Sequence, residues 1–352
     1  MIKRLFYSFL FITILVGISF LFWIQSQRYS PSSVSRVEVK KPVDGSINSG
    51  ASIGILLWNI SYGGMPAGMD FFYSGGTKIA LEESAYHKNI KGILSEIFNF
   101  KDSTDIFLFH KVDTASKRSY HTNQYHEIQK LLPEYESSFC LNFANPFIPV
   151  PLDKPIGSVY SGMLTLSKFH ADSTKRIAFS TKQKYYWPKR LFTAQKCMSI
   201  TEYPINNKKL FIVNVHLDSY DFRGEIRLAQ LKQVERTADS LYKLGNYVVV
   251  AGGWNMNPPN FKKYRIKYGY KGSPSFPEID DSLYFKNWQF EYNRKIPTSR
   301  SLKDAYRHGA INTFIKDFFI CSPNTIVLFS ETIGQEFVWS DHHPVYLRIN
   351  LY

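Results

Sequence analysis

Apolar runs of strand length alternate with amphipathic segments along most of the chain. The runs occupy residues 53–59, 105–112, 162–167, 197–202, 210–216, 247–251, 314–320 and 345–349. Between them, segments 90–98, 120–132 and 223–244 have helical periodicity, and one face of the last carries Leu228, Leu231, Val234, Ala238 and Leu241. Strands that alternate with helices in this way predict an α/β fold built from layers of sheet and helix.

The first apolar run is much longer than the others. It extends from Leu5 to Ile24 and follows Lys3 and Arg4. A helix needs about 20 apolar residues to span a bilayer, whereas the apolar part of a cleaved signal peptide has about 7–15. We therefore expect residues 1–27 to be an uncleaved signal anchor, a transmembrane helix in the inner (cytoplasmic) membrane. The basic N-terminus would stay in the cytoplasm, and the remaining chain would lie on the extracytoplasmic (periplasmic) side. Cleavage at an atypical site is the alternative.

The rest of the chain divides into a linker and one large domain. Residues 28–51 are polar, with several Pro, Ser and Gly residues, which is typical of a tether. Residues 52–352 are then a single domain, for which an apolar content of 44% is sufficient to build a core. Within it, residues 260–307 have no clear period and are expected to form a long surface excursion near the site.

Composition narrows the possible ligands. The three cysteines, Cys140, Cys197 and Cys321, are far apart in sequence, which argues against a disulfide framework and against a Cys-based zinc site. The net charge of +14 favours an anionic partner. Two basic clusters stand out, Lys182, Lys184, Lys189 and Arg190 in one and Lys262, Lys263, Arg265 and Lys267 in the other. Solvated surface charge is the default interpretation of these clusters, and nucleic-acid binding is the less favoured one.

Short polar blocks follow several of the predicted strands. In chain order they are Leu57-Trp58-Asn59, His110-Lys111-Val112, Asn214-Val215-His216, Gly252-Gly253-Trp254-Asn255 and Ser340-Asp341-His342. Residues at strand ends of α/β folds are held rigidly yet remain exposed to ligands. In order and context, the blocks over residues 53–351 resemble the signature of the endonuclease/exonuclease/phosphatase superfamily. Segments 63–64, 69–76, 297–300 and 322–324 resemble a bacterial, membrane-anchored branch of it.

The resemblance implies a two-sheet α/β sandwich that uses one or two Mg²⁺ or Mn²⁺ ions on a phosphoester. By motif, Asn59 corresponds to a metal ligand and Asp341 to its neighbour. His342 corresponds to the catalytic histidine and Asp317 to the acid that orients it. His216 and Asn255 correspond to phosphate-contacting catalytic residues, with Asn214 supporting them.

Two of the blocks depart from this pattern. The family's second block normally reads Gln-Glu-Val, so His110 stands where it has Gln, and Lys111 stands where it has a metal-binding Glu. Its fourth block reads Gly-Asp-Phe/Trp-Asn, and Gly253 stands where it has the Asp. Mg²⁺ takes oxygen ligands, and a protonated ammonium cannot coordinate a metal. Strand alternation predicts that Lys111 faces the site and that His110 faces away, so that His110 cannot replace the lost ligand. Lys111 could instead pair with a phosphate as a fixed cation.

Two functions remain compatible with the sequence. The favoured one is a membrane-anchored, catalytically impaired relative that keeps a cleft for a phosphorylated or otherwise anionic ligand. The alternative is an active phosphoester hydrolase (a phosphodiesterase, phosphatase or nuclease) with weakened or unconventional metal use. The choice between them depends on whether the Lys111 side chain points into the cleft, and on which side chains surround Gly253.

Overall fold

The computed structural model describes residues 1–180, 187–219, 221, 223–261 and 276–351, and it contains two seven-stranded sheets. The four α-helices of this part of the chain are α1 (Ile2–Ser26), α2 (Glu83–Asn99), α3 (Gln124–Leu131) and α4 (Glu225–Lys243). The strands are β1 (Val34–Val37), β2 (Val39–Lys40), β3 (Ser52–Asn59), β4 (Ile106–Asp113), β5 (Glu136–Ile148), β6 (Gly157–Ser167), β7 (Ser173–Ala178), β8 (Cys197–Ile205), β9 (Lys208–His216), β10 (Tyr247–Gly253), β11 (Gln289–Glu291), β12 (Ser299–Arg300), β13 (Thr313–Phe314), β14 (Asp317–Cys321), β15 (Ile326–Thr332) and β16 (Val345–Asn350).

One sheet has the order β15-β16-β3-β4-β6-β5-β2, and the other has the order β1-β7-β8-β9-β10-β14-β11. The two sheets face each other across a shared apolar core. Strand alternation explains this arrangement: Ile55 and Leu57 of β3 point inward to meet residues such as Val249 of β10, while Leu56 and Trp58 point outward. Helices α2 and α3 cover the outer face of the first sheet, and α4 covers that of the second. The predicted two-sheet α/β sandwich is confirmed.

The predicted helices and strands coincide with observed ones in their central residues but begin and end at different residues. The helix predicted over 223–244 is α4, on which Leu231, Val234 and Ala238 are buried. The run at 314–320 is interrupted, because β13 ends at Phe314 and β14 begins at Asp317. Strand β5 has no counterpart among the predictions. Its buried polar positions and the absence of a long apolar run obscure it in the sequence.

The N-terminal segment has ordered structure on both sides of Arg28. Helix α1 is long and apolar enough to cross a membrane by length and composition, a property that anchors and signal sequences near the N-terminus share. The following residues, predicted as a polar linker, include β1 and β2. Strand β1 pairs with β7 of one sheet, and β2 pairs with β5 of the other.

Some predicted features lie outside the described residues. These are Lys182 and Lys184 of the first basic cluster, all four residues of the second, and residues 262–275 of the predicted surface excursion. The rest of that excursion carries β11 and β12, and Ser299 of β12 bridges to His342. This part of the excursion therefore reaches the predicted site.

Candidate active site

The topology brings the predicted blocks to one end of the sandwich. Strands β3 and β4 are parallel and end at Asn59 and Asp113, while β9 and β10 are parallel and end at His216 and Gly253. Strands β14 and β16 run antiparallel to β10 and β3, so the residues that precede or open them lie at the same end. Asp317 and the Asp341-His342 pair enter the site in this way.

His342 and Asp317 form a hydrogen-bonded pair. Nδ1 of His342 lies 2.6 Å from Oδ2 of Asp317, and both side chains are buried. Because the carboxylate can only accept, Nδ1 carries a proton, and in the uncharged form of the ring Nε2 is an acceptor. Nε2 lies 3.3 Å from Nδ2 of Asn59, which donates to it. The pair therefore holds an acid–base imidazole with Nε2 directed toward Asn59 and Asp341, whose Oδ2 is 3.8 Å away.

Ser61 connects the groups expected to hold a metal. Its hydroxyl contacts Oδ1 of Asp341 in a short hydrogen bond and lies 3.2 Å from Oδ1 of Asn59. Its backbone N–H also donates to the same Asn59 oxygen at 3.1 Å. Ser61 has a φ of 44°, and Tyr62 has one of 47°, a left-handed conformation that is costly for residues other than glycine. This strained turn places the Ser61 hydroxyl within hydrogen-bonding distance of the Asn59 and Asp341 side-chain oxygens.

Lys111 reaches the same network. Its Nζ lies 3.4 Å from Oγ of Ser61, and its side chain is partly buried. Burial alone would raise the pKa of Asp341, but the charges of His342 and Lys111 outweigh it, so the pKa lies below its usual range. The Lys111 ammonium group therefore places positive charge near the Asp341 carboxylate without forming an ion pair with it.

The expectation that His110 faces away from the site is wrong. A β-bulge interrupts the β4–β6 register between His110 and Val112, and Lys111 sits in it with a φ of 54°. His110 keeps the inward parity of Ile106 and Leu108, whereas regular alternation would place Lys111 on the outer face with Phe107 and Phe109. The bulge redirects Lys111, so that both side chains reach the cleft. His110 is fully buried and contacts Oδ1 of Asn214 through Nε2 at 2.6 Å.

His110 and His216 fill the space beside Gly253. Their rings stack with centroids 5.1 Å apart and planes inclined by 12°. A Cβ on Gly253 would lie 2.8 Å from Cδ2 of His216, 3.1 Å from Nδ1 of His110 and 3.3 Å from Oδ1 of Asp317. No real Cβ has the first contact without a shift of its neighbour. Burial lowers the pKa of His110 to about 4, and burial followed by repulsion from Lys196 also lowers that of His216. Both rings are therefore neutral at pH 7.

Two lysines that the motifs did not identify join the site. Nζ of Lys196 lies 3.3 Å from Nδ1 of His216. Nζ of Lys316 lies over the rings of Phe276 and Phe314, 3.8 and 4.3 Å from their centroids. Burial lowers the pKa of Lys196 to about 8 and that of Lys316 to about 7, and repulsion from Lys111 contributes to both shifts.

These lysines define the accessible part of the site. Lys111, Lys196 and Lys316 are each partly exposed, whereas Asn59, His216 and His342 are buried. An incoming ligand therefore meets three amino groups before it meets the imidazoles. The remaining predicted residue, Asn255, is buried and has a φ of 49°, and its Nδ2 donates to the Leu217 carbonyl at 3.0 Å. This bond fixes the Asn255 side chain at the end of β10.

The donor set does not fit a divalent cation. In the part of the chain that the structure describes, no three His, Cys, Asp or Glu side chains are grouped to hold a metal ion. Among the described residues, the carboxylate that contacts the Asn59–Ser61 network is Asp341, which already accepts a hydrogen bond from Ser61 and lies near the charge of Lys111. Mg²⁺ and Mn²⁺ require several oxygen ligands, and a neighbouring ammonium repels them.

The sequence contains only weak signals for the additional residues. Lys196 immediately precedes β8, which runs antiparallel to β9, so it lies near the end of the strand that carries His216. Lys316 directly precedes Asp317, and Ser61 follows Asn59 by two positions. Their adjacency to motif residues is visible in the sequence, but the bulge and the left-handed turn that direct them are not.

No protein-family model and no curated protein matches the sequence, but solved structures match the fold. The endonuclease/exonuclease/phosphatase from Beutenbergia cavernae has a TM-score of 0.56 at 13% identity, over 85% of this chain and 72% of that one. The fold is that of the endonuclease/exonuclease/phosphatase superfamily. D. rerio TDP2, solved with a single-strand DNA product, has a TM-score of 0.53 at 13% identity over 85% of this chain and 99% of its own. ANGEL2, a 2′,3′-cyclic phosphatase solved with adenosine-2′,3′-vanadate, has a TM-score of 0.53 at 15% identity over 92% of this chain and 99% of its own.

Proposed function

We propose that this protein is a membrane-anchored relative of the superfamily that binds a phosphate-bearing ligand in its cleft without a catalytic dication. Lys111 supplies the positive charge that the metal supplies in active relatives. Asn59, Asp341, His342, His216, Asn255 and Asn214 form the remainder of the cleft. The observation that carries the proposal is the contact of Lys111 with the Ser61–Asn59–Asp341 network.

The charge balance of the cleft supports anion binding. Lys111 lies close enough to Lys196 and Lys316 to add to the lowering of their pKa values by burial, and this repulsion costs free energy when no anion is bound. A bound phosphate would relieve this repulsion, and each amino group could donate a charge-assisted hydrogen bond to it. Without a dication to hold, extra carboxylates at positions 111 and 253 would only repel such a ligand.

The neighbours of Gly253 support the loss of metal chemistry at a second position. The stacked His110 and His216 rings take up the room that a carboxylate at position 253 would need. The glycine is therefore matched by a compensating change on β4. The packing at position 253 is therefore consistent with a cleft that works without a carboxylate there.

The alternative is an active phosphoester hydrolase with unconventional metal use. The intact pair of His342 and Asp317, at 2.6 Å, is the observation in its favour. Such a pair can hold a proton at Nε2 and activate or position water. The ligand class stays the same in both cases. Nucleic acid is a less favoured ligand, although a relative of the same fold, TDP2, was solved with a DNA product.

The localisation is part of the same proposal. We assign α1 as a signal anchor in the inner membrane, with Lys3 and Arg4 in the cytoplasm and the folded domain on the periplasmic side. The length and composition of the helix support this assignment. Retention of the full chain in membranes after alkaline extraction tests it.

Turnover assays of the full chain in detergent micelles separate the two functions. We expect no Mg²⁺- or Mn²⁺-stimulated hydrolysis of generic phosphomonoesters or phosphodiesters. The matched control is His342→Ala, which removes the imidazole and leaves the lysines. Robust metal-dependent turnover that His342→Ala abolishes would overturn the proposal in favour of the hydrolase.

A further inference from the structure

We propose that two loops beside α1 form a membrane-docking surface that turns the cleft end of the domain toward the bilayer. The docking surface consists of Val150, Leu152 and Lys154 in the β5–β6 loop, with Trp187, Lys189 and Arg190 before β8. It rests on the proposed membrane anchor and goes beyond it, because an anchor alone leaves the orientation of the domain open.

The β5–β6 loop presents apolar side chains to solvent from a rigid base. Ile148 and Ile156, at its two ends, are buried in a small apolar cluster with Val159. Between them, Leu152 is 86% exposed and Val150 is 38% exposed. A single exposed leucine needs no explanation in a soluble protein. A leucine that is held outward at the tip of an anchored loop, beside a helix long enough to span a membrane, does need one.

The second loop contributes an aromatic side chain and basic groups. Trp187 is 56% exposed, and Lys189 and Arg190 are exposed next to it. Nδ2 of Asn145 on β5 donates to the Leu191 carbonyl at 2.8 Å, which ties this loop to the strand that leads into the first loop. Tryptophan prefers the bilayer interface, and lysine and arginine bind anionic headgroups. Asp153 is the acidic exception on this surface.

Contacts of α1 fix the height of the docking surface relative to the membrane. The rings of Phe20 and Phe147 meet edge to face with centroids 6.0 Å apart, and Ile24 is buried. Residues 1–19 of the chain are exposed, so the helix leaves the domain at Phe20. Phe20 precedes Ile24 by four residues, about 6 Å along the helix axis. The interfacial layer on each side of a bilayer is roughly 5–8 Å thick. Phe147, and the loop that follows it, are therefore held at the level of this layer.

The docking surface lies at the cleft end of the sandwich. In the first sheet, Asp113 pairs with Ser161, and Gly157 lies farther along β6 in the direction in which β4 runs toward the site. In the second sheet, Met198 at the start of β8 pairs with Val215 beside His216. Both loops thus extend beyond the strand ends that carry the site. Docking them on the bilayer brings the mouth of the cleft close to the lipid headgroups.

Site-specific fluorescence in nanodiscs tests the proposal with the full chain. Cys140, Cys197 and Cys321 are buried, so an environment-sensitive thiol dye labels Leu152→Cys selectively. The control is Leu244→Cys, because Leu244 is 77% exposed and follows α4 at the other end of the sandwich. In discs of phosphatidylcholine with phosphatidylglycerol, we expect quenching at position 152 by a headgroup nitroxide and several-fold weaker quenching by aqueous iodide than at position 244.

Charge reversal tests the basic part of the surface. Lys189→Glu with Arg190→Glu should increase iodide quenching at position 152 several-fold, and more so when phosphatidylglycerol is present. The matched pair Lys232→Glu with Arg236→Glu, at exposed positions on α4, should have no effect. If the chain stays in the discs and position 152 is as open to iodide as position 244, the docking surface is wrong and the anchor stands. If the chain does not stay in the discs, both proposals are wrong.

Discussion

The two halves of the cleft differ in how many of the residues expected from the family motif they contain. In the half around His342, Asp317 and Asn255, every predicted residue is present and the His342–Asp317 hydrogen bond is formed. In the half around Lys111 and Gly253, both expected carboxylates are replaced and the backbone is bulged and left-handed. In the proposed function the first half contacts phosphate, and the second is where the family resemblance implies a metal. The two halves therefore differ in how far they keep the expected motif, and the proposed function depends on the half that departs from it.

The largest expected effect comes from restoring the two expected carboxylates, at positions 111 and 253. We expect Lys111→Glu with Gly253→Asp to be poorly stable, because a side chain at position 253 meets the His216 ring at 2.8 Å. Adding His110→Gln, the residue type expected there from the resemblance, removes the stacked ring and should restore the fold. The triple variant should then bind Mn²⁺ through Asn59, Asp341 and the new carboxylates, which titration calorimetry detects. If the triple variant folds and binds no Mn²⁺, the two halves have diverged more than we propose.

A smaller effect is expected from Gly253→Ala alone. Overpacking a filled site costs about 1–3 kcal/mol of unfolding free energy. The control, Gly68→Ala, meets nothing within 4 Å and should change stability by less than about 0.5 kcal/mol. In a His110→Ala background the His216 ring can shift, so the cost of Gly253→Ala should fall, with a coupling of about 0.5–3 kcal/mol. Denaturant melts of the four variants measure it, and an additive cycle would mean that His110 does not occupy this space.

The smallest effect concerns pH. The pKa of Lys316 is lowered to about 7 and that of Lys196 to about 8, both chiefly by burial. Their charged forms bind the anion, so affinity is greatest at low pH and falls several-fold as the pH rises through 7 and then 8. Sulfate is a suitable ligand because its own charge does not change in this range. Lys316→Met should weaken binding and remove the step near pH 7, and a flat profile in the unmodified protein would exclude both lysines from the binding site.

The sequence predicts the fold and the half of the cleft that keeps the family motif, and there is a physical reason for this success. Regular strands obey alternation, so the ends of β3, β9 and β10 could be placed from apolar runs alone. On β4 the prediction assigned the wrong face: His110 shares the inward parity of Leu108, and Lys111 reaches the cleft only because a bulge breaks the alternation there. Lys196 enters through the antiparallel pairing of β8 with β9, a non-local contact that no local pattern reports.

Binding of sulfate by the full chain in EDTA, followed by the addition of Mg²⁺, tests the central claim most directly. We predict measurable binding in EDTA that Mg²⁺ does not strengthen. Lys111→Met should lose about 1.5–3 kcal/mol, roughly ten- to a hundredfold in affinity. The matched control, Lys232→Met on the exposed face of α4, should bind as the unmodified protein does. Binding that appears only with Mg²⁺ or Mn²⁺, or that survives Lys111→Met unchanged, would contradict the replacement of the metal by Lys111.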